Sequence, residues 1–365
     1  MRDYPFYVII LLFFGNSIYI GGLYTETVVV ESAEYVRNFR CKCGDCRSVC
    51  CSGWRISLSK GEYFSLMGLS CEPTLRVALN EAFAVAKEPR EEKYAHITPD
   101  ERGNCRLLDG DGLCRLHREC GENVQPSVCR LYPRSIKPGD ITEFCCSGSC
   151  EAVIETLMQL PHPLSFVREE LQVSASRPEE DPMDDAKRSR RAECMGRMQD
   201  RRIPLPQRIA EIGAYLGVRE EPNERLLLQR GLLLLTELGA PSLSLRTYAA
   251  EIPASLGMTD TVTEEVCRRF AEAEARAAAA LSQREIWLEQ CLVNHMYYMQ
   301  FPYAGEGVSP QAAWDELYGT YALLRILSAF AVSETDFADR IAAAFRYIEH
   351  TDFVRNAHIV LRGHR

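Results

Sequence analysis

Residues 39–64 read FRCKCGDCRSVCCSGWRISLSKGEYF, with five cysteines inside eleven residues before a short strand and a helix signal. Cys50 and Cys51 are adjacent and cannot bridge to each other without strain, so each is expected to face a different partner. Thiolates from such a tight loop can approach one centre, with more supplied by Cys105, Cys114, Cys129 and Cys150 further along the chain. The residues alone leave a disulfide scaffold, a zinc site, an iron–sulfur cluster and free buried thiols open, since zinc and a cluster both accept four thiolates. The radical-enzyme spacing CxxxCxxC is absent, because Gly53 stands where the third cysteine would follow Cys46 and Cys50.

Thirteen of the sixteen cysteines lie between Cys41 and Cys150. That asymmetry marks a cysteine-dependent N-terminal module in a chain whose 365 residues and 46% apolar content already support a buried core. Cys194, Cys267 and Cys291 fall in helical patterns and read as small buried residues. The net charge of −9 gives no global attraction to nucleic acid or an anionic membrane, and no nucleic-acid partner is expected. The basic run at residues 187–202, KRSRRAECMGRMQDRR, contains acids and no aromatics, and reads as a solvated helix face.

Four segments are expected: an apolar N-terminal extension at 1–25, a cysteine-rich module at 26–173, a polar linker at 174–186 (SASRPEEDPMDDA) and a helical domain at 187–365. The apolar run at 6–20 is short for a membrane span and has no cleavage pattern after it. An upstream start or loose extension, an anchor and a signal peptide remain its three readings, and no stable membrane span is expected. Within the module, the spacing predicts a strand at 54–58, a helix capped by Ser59, a second helix opened by Pro73 over 74–86, and a hairpin around Asp109-Gly110-Asp111-Gly112. It also predicts helix at 114–120 and from Glu151 to about Val173. Beyond the linker, three- and four-residue apolar spacing predicts helices near 207–216, 220–238, 243–256, 260–298, 310–330 and 335–349. The fold class is therefore mainly α: a cysteine-rich loop and short-hairpin metal module followed by an irregular helical bundle.

Phe39-Arg40-Cys41, Cys46, Cys50-Cys51 and Gly53-Trp54, in that spacing, resemble the opening motif of the flagellin lysine-N-methylase family, a motif shared with wider zinc- or iron-chelating proteins. GNC at 103–105, LCRL at 113–116, CRLYPR at 129–134, Cys150-Glu151, the helix 287–303 ending in Phe-Pro, and FRYIEH at 345–350 continue the resemblance in order. Cys43, Cys71, Cys120, Cys145 and Cys146 fall outside the family pattern, and Ser149-Cys150-Glu151 stands where the family has Cys-Pro-Glu. The resemblance implies methyl transfer from S-adenosylmethionine to lysine ε-amines of flagellin, in the cytoplasm before export. It also implies a cysteine-bound centre, with a 4Fe–4S cluster favoured over zinc and ligands drawn from Cys41, Cys46, Cys50, Cys51, Cys105, Cys114, Cys129 and Cys150. The other reading is a metal-binding module fused to a helical protein-interaction domain without chemistry of its own.

Methylation needs a neutral amine, an aligned sulfonium methyl and a dry pocket. Free lysine titrates near roughly 10.4, so a positioned acceptor or desolvation must deprotonate it. No glycine-rich loop after a strand marks a doubly wound donor site. Glu289, Asn294, His295, Tyr297 and Tyr298 on one helical segment, with Glu349 and His350, supply acceptors, and Arg346 lies on one helical face with His350. From these we take Glu289, Asn294, Tyr298, Arg346, Glu349 and His350 as catalytic candidates, although Arg346, Glu349 and His350 also read as a polar tie between helices. Trp54, Tyr132 and Arg134 are the candidate donor-binding residues, an arginine beside a metal centre being suited to the donor carboxylate. Tyr297, Tyr298 and Phe301 read first as core and second as a substrate cage.

Overall fold

The computed structural model describes residues 26–47, 50–173, 183–218, 220, 223–305 and 307–363. The apolar run at 6–20 and most of the expected linker, 174–182, lie outside them. Mainly helical content is as expected, but the chain divides elsewhere than expected. One compact unit is Cys41–Tyr132, and the other joins the described residues before Cys41 to everything from Pro133 onward. The reason is strand pairing, which ties residues 26–33 to a sheet built from 134–173.

In the first unit, strands β2 (Ile56–Leu58), β3 (Phe83–Val85) and β4 (Ala95–Ile97) form an antiparallel sheet in the order β2-β4-β3. Helix α1 (Lys60–Met67) starts at Ser59, whose hydroxyl accepts from Glu62 N while the Glu62 carboxylate accepts from Ser59 N. Helix α2 (Pro73–Ala82) has proline at its first position and buries Leu75 and Leu79 against Ile56, Leu58, Leu66 and Ile97. It stops four residues earlier than expected, because Phe83–Val85 leaves the helix to pair with β4. The Asp109–Gly112 turn is present, with Gly112 at φ +76°, but closes on the single bridge between Leu108 and Cys114 instead of a ladder. Helices α3 (Arg115–Cys120) and α4 (Ser127–Leu131) follow.

In the second unit, strand β1 (Glu26–Ala33) lies between β6 (Ile141–Cys146), parallel to it, and β7 (Phe166–Val173), antiparallel, while β5 (Arg134–Lys137) pairs with β6 at the edge. The helix expected from Glu151 to Val173 is only α5 (Glu151–Met158). Pro161 and Pro163 interrupt it, and Phe166–Val173 gains a full ladder from β1. Helix α6 (Asp185–Met198) carries the basic run, and its expected solvated face is corrected in part: Arg188 and Arg191 are buried, and Arg191 meets the Glu143 carboxylate through two bonds of 2.8 and 2.5 Å.

The remaining helices are α7 (Leu205–Tyr215), α8 (Glu224–Leu234), α9 (Arg246–Ser255), α10 (Glu264–Ala280), α11 (Arg284–Tyr298), α12 (Pro310–Ala329), α13 (Glu334–Ile348) and α14 (Phe353–Gly363). The single helix expected over 260–298 is thus two, separated at Leu281, which is buried in a non-helical conformation. Helix α11 packs on β6, α5, α6 and α12, and α13 packs on α5 and α12, so the end of β6 is enclosed by helices. Among the described residues no helix is long and apolar enough to cross a membrane.

Candidate active site

The chain leaves β6 at Cys146 and makes the turn Ser147-Gly148-Ser149 before α5. Gly148 lies flat against Phe345 of α13, where a Cβ would sit 2.7 Å from a ring carbon. That close approach brings the end of α13 onto the turn. Ser147 Oγ donates to Glu349 Oε2 at 2.5 Å, and Ser149 Oγ lies 2.9 Å from His350 Nε2. The two serine hydroxyls are 2.5 Å apart, and Arg346 Nε donates to Ser149 O at 3.2 Å. Helix α11 closes the other side. Asn294 Nδ2 donates to Cys146 O at 3.0 Å, and its Oδ1 accepts from Tyr35 OH at 2.6 Å.

His295 is enclosed between two acids, with Nδ1 3.0 Å from Glu349 Oε1 and Nε2 2.7 Å from Glu316 Oε1. Burial alone would lower its pKa, but the two carboxylates outweigh it and hold the imidazole up at about 9. His350 shifts the other way: desolvation lowers its pKa, and Arg346 adds to this against Glu349. It remains at an exposed edge, whereas Ser147, Ser149 and Glu349 are buried. Burial raises the Tyr298 phenol, which hydrogen-bonds with Ser147. Lys137 donates to Tyr298 O, its amine lies 5.4 Å over the Tyr298 ring, and desolvation lowers its pKa.

Of the six catalytic candidates, Asn294, Tyr298, Arg346, Glu349 and His350 meet around this turn. Glu289 does not. Its buried carboxylate is held by Arg208 at 2.6 Å and Arg201 at 2.9 Å, a structural clamp between α11 and the α6–α7 segment. Tyr297 and Phe301 are core residues, with Arg191 over the Tyr297 ring at 4.5 Å. Lys137, Ser147, Ser149 and Glu316 carried no signal that singled them out, except that Glu316, with Asp315, is an acid on a largely apolar buried stretch of α12.

Trp54 and Tyr132, both in the first unit, pack edge to face at 5.2 Å. Arg134 belongs to the second unit, where its guanidinium stacks 5.3 Å over Phe39 and its charge opposes the burial that raises the Cys146 thiol. Arg134 Nε is buried with no hydrogen-bond partner among the described residues.

In the first unit Cys50, Cys51, Cys105, Cys114 and Cys129 lie within one another's electrostatic reach, and the Cys51 thiol hydrogen-bonds with Cys50. Cys105 N donates to Cys51 O at 2.6 Å, which draws the two chain segments together. Burial, reinforced by neighbouring thiols, pushes Cys105 up to about 11. Cys41 is within reach of Cys50 and Cys43, while Cys150 lies in the second unit at the start of α5. Among the described residues no three such side chains are arranged to hold an ion as they stand.

Residues 227–358 match the family described as the FliB lysine N-methylase C-terminal domain. Two curated proteins named lysine-N-methylase, from Salmonella typhimurium (strain LT2) and Salmonella choleraesuis (strain SC-B67), are 31% and 30% identical over 110 residues. The match covers 30% of this chain and 27% of each of them, so the chain spans about a quarter of their length. A flagellar biosynthetic protein, FliU of Salmonella muenchen, is 30% identical over 110 residues, 30% of this chain and 64% of that protein. No solved structure matches.

Proposed function

We propose that this chain, which carries the FliB lysine N-methylase C-terminal domain over residues 227–358, methylates lysine ε-amines of flagellin with S-adenosylmethionine as donor. The observation that carries the reading is the convergence of Tyr298, Glu349 and His350 on the Ser147–Ser149 turn, with His350 left at an open edge. The donor supplies a sulfonium methyl: the C–S bond breaks with its electron pair going to sulfur as the amine nitrogen forms the new N–C bond. The chain must remove the ammonium proton first. Glu349 Oε2 is an acceptor already oriented by Ser147, and His350, with its lowered pKa, offers a neutral ring nitrogen. Burial of Ser147, Ser149 and Glu349 excludes water, which favours the uncharged amine.

Arg134 fits the donor's carboxylate, because its buried Nε lacks a partner of its own. Trp54 and Tyr132, the other two donor-binding candidates, already pack on each other. For the cysteine-bound centre the donor chemistry fits: Cys50, Cys51, Cys105, Cys114 and Cys129 form an all-sulfur set in one unit, suited to an iron–sulfur cluster or zinc. Cys41 and Cys46 share that unit, and Cys150 does not. A cytoplasmic location follows from the same reading, since the donor and flagellin before export meet there.

The test is incubation of the purified, metal-replete full chain with flagellin and S-adenosylmethionine, followed by the intact mass of flagellin. Methyl-sized increments on lysines support the reading. An unchanged mass leaves the chain as a metal-holding interaction protein. Anaerobically purified protein should be brown, and colourless protein with stoichiometric zinc would replace the cluster by zinc.

A further inference from the structure

We infer that His295 is a positioning residue, clamped by Glu316 so that it presents Glu349 to the reacting amine. The inference rests on the methylase reading for what Glu349 acts upon, while the clamp itself stands on geometry. Helix α11 places His295 at 1% exposure between α12 and the end of α13. Each ring nitrogen faces a carboxylate oxygen, Glu349 Oε1 at 3.0 Å and Glu316 Oε1 at 2.7 Å. With both carboxylates ionised each can only accept, so both ring nitrogens donate, and that is the imidazolium form. A neutral ring would leave one buried carboxylate facing a lone pair. Thr320 Oγ1 donates to Glu316 Oε1 at 3.0 Å and fixes the far end, and Phe345 packs on the ring at 5.2 Å. The near end is left with one oxygen of Glu349 directed at Ser147.

Two carboxylates around one imidazolium leave one negative charge in excess. The titratable groups within reach of Glu349 are Tyr35 from the N-terminal segment, Lys137 from β5, Cys145 from β6, Cys291 and Tyr298 from α11, and His350 beside it. Burial raises the phenols and thiols among them, so they stay neutral near pH 7. Lys137, His350 and the Arg346 guanidinium at the same turn are then the groups that can share the charge with an incoming ammonium. An ammonium reaching Glu349 meets a carboxylate whose geometry is set and whose charge is only partly offset.

The experiment compares the full chain with H295Q and E316Q, reading kcat, KM for flagellin and the pH dependence of both at a temperature where each variant is folded. Glutamine at 295 keeps one donor and loses the charge. H295Q is expected to lower kcat about 10²-fold and to move the acidic limb of the rate profile to higher pH, with KM within about twofold. E316Q, which leaves His295 on Glu349, should cost about tenfold or less in kcat. A merely structural histidine would lower the melting temperature of H295Q and leave kcat and the pH profile of the folded enzyme unchanged, which overturns the inference. Imidazole nitrogen NMR gives a readout free of turnover: His295 should carry both protons through neutral pH, titrate near 9, and titrate lower in E316Q. A singly protonated ring at pH 7 overturns the clamp whether or not flagellin is methylated. A doubly protonated ring in a wild type that never methylates flagellin removes the methylase reading, and the positioning role with it.

Discussion

In Cys41–Tyr132 the cysteines gather and raise one another's pKa, whereas in the other unit the buried Cys145, Cys146, Cys194 and Cys291 accompany oxygen and nitrogen atoms that complete one another. The first unit has strands of three residues and helices of at most ten, with a small apolar core under Ile56, Leu58, Leu75 and Leu79. The second has helices of up to twenty residues and a sheet strand, β6, buried over most of its length. A thiol cluster is a weak tie until something takes it as thiolate, whereas a carboxylate–imidazole–carboxylate chain holds as it stands. The comparison teaches that one unit gathers thiols that oppose one another's ionisation, while the other is held by its own hydrogen bonds.

The largest expected effect breaks the comparison on the thiol side. If a bound centre organises the first unit, replacing Cys50 and Cys51 with serine removes on the order of 10 kcal/mol of its folding free energy, as for structural metal sites. Limited proteolysis should then cut within 41–132 and spare helices α11 to α14. An unchanged thermal transition would show that the unit's apolar core suffices.

Next come two glutamates of the second unit that the contrast separates. E349Q is expected to reduce methylation about 10²- to 10⁴-fold, measured as initial rate on flagellin, with the fold retained. E289A should do the reverse. It leaves Arg208 buried without its carboxylate and costs about 3–5 kcal/mol of stability, read by denaturant titration, with little loss of rate in the folded enzyme.

The pH dependence follows from His295. Its pKa is raised to about 9 on folding, above the ordinary value, so its contribution is complete below about pH 6.5 and is lost as pH rises through 9. Melting temperature should therefore fall across that window in the wild type and more shallowly in H295Q. A parallel decline in both would assign it to other groups.

The smallest effect sharpens the role of the turn. G148A forces a methyl against Phe345 and should cost about 1–3 kcal/mol, with a modest fall in rate as Ser147 and Ser149 shift from Glu349 and His350.

Much of the helical architecture was legible. The Ser59 cap and Pro73 at a first position act locally, through the first turn of backbone, and the structure uses both as read. The run FVREELQV at 166–173 was misread as helix because its charges suit an exposed helix, and only the ladder offered by β1 makes it a strand. The candidate site was legible in its chemistry, for Asn294, Tyr298, Arg346, Glu349 and His350, and not in its membership. Glu289 and Glu349 are both acids in polar clusters on paper. One meets two arginines and the other a histidine and a serine, from elements distant in the chain.

By itself, then, the sequence determined the caps, the apolar periodicity of the helices, the gathering of cysteines before residue 151 and the residue types able to move a proton, because these depend on neighbours within a turn or two. The tertiary structure alone decided that the N-terminal segment pairs with β6 and β7, and that Arg191 turns inward to Glu143. It likewise decided that His295 is charged between Glu316 and Glu349. A buried charge is tolerable only where its partners arrive, and those partners come from helices brought together by packing.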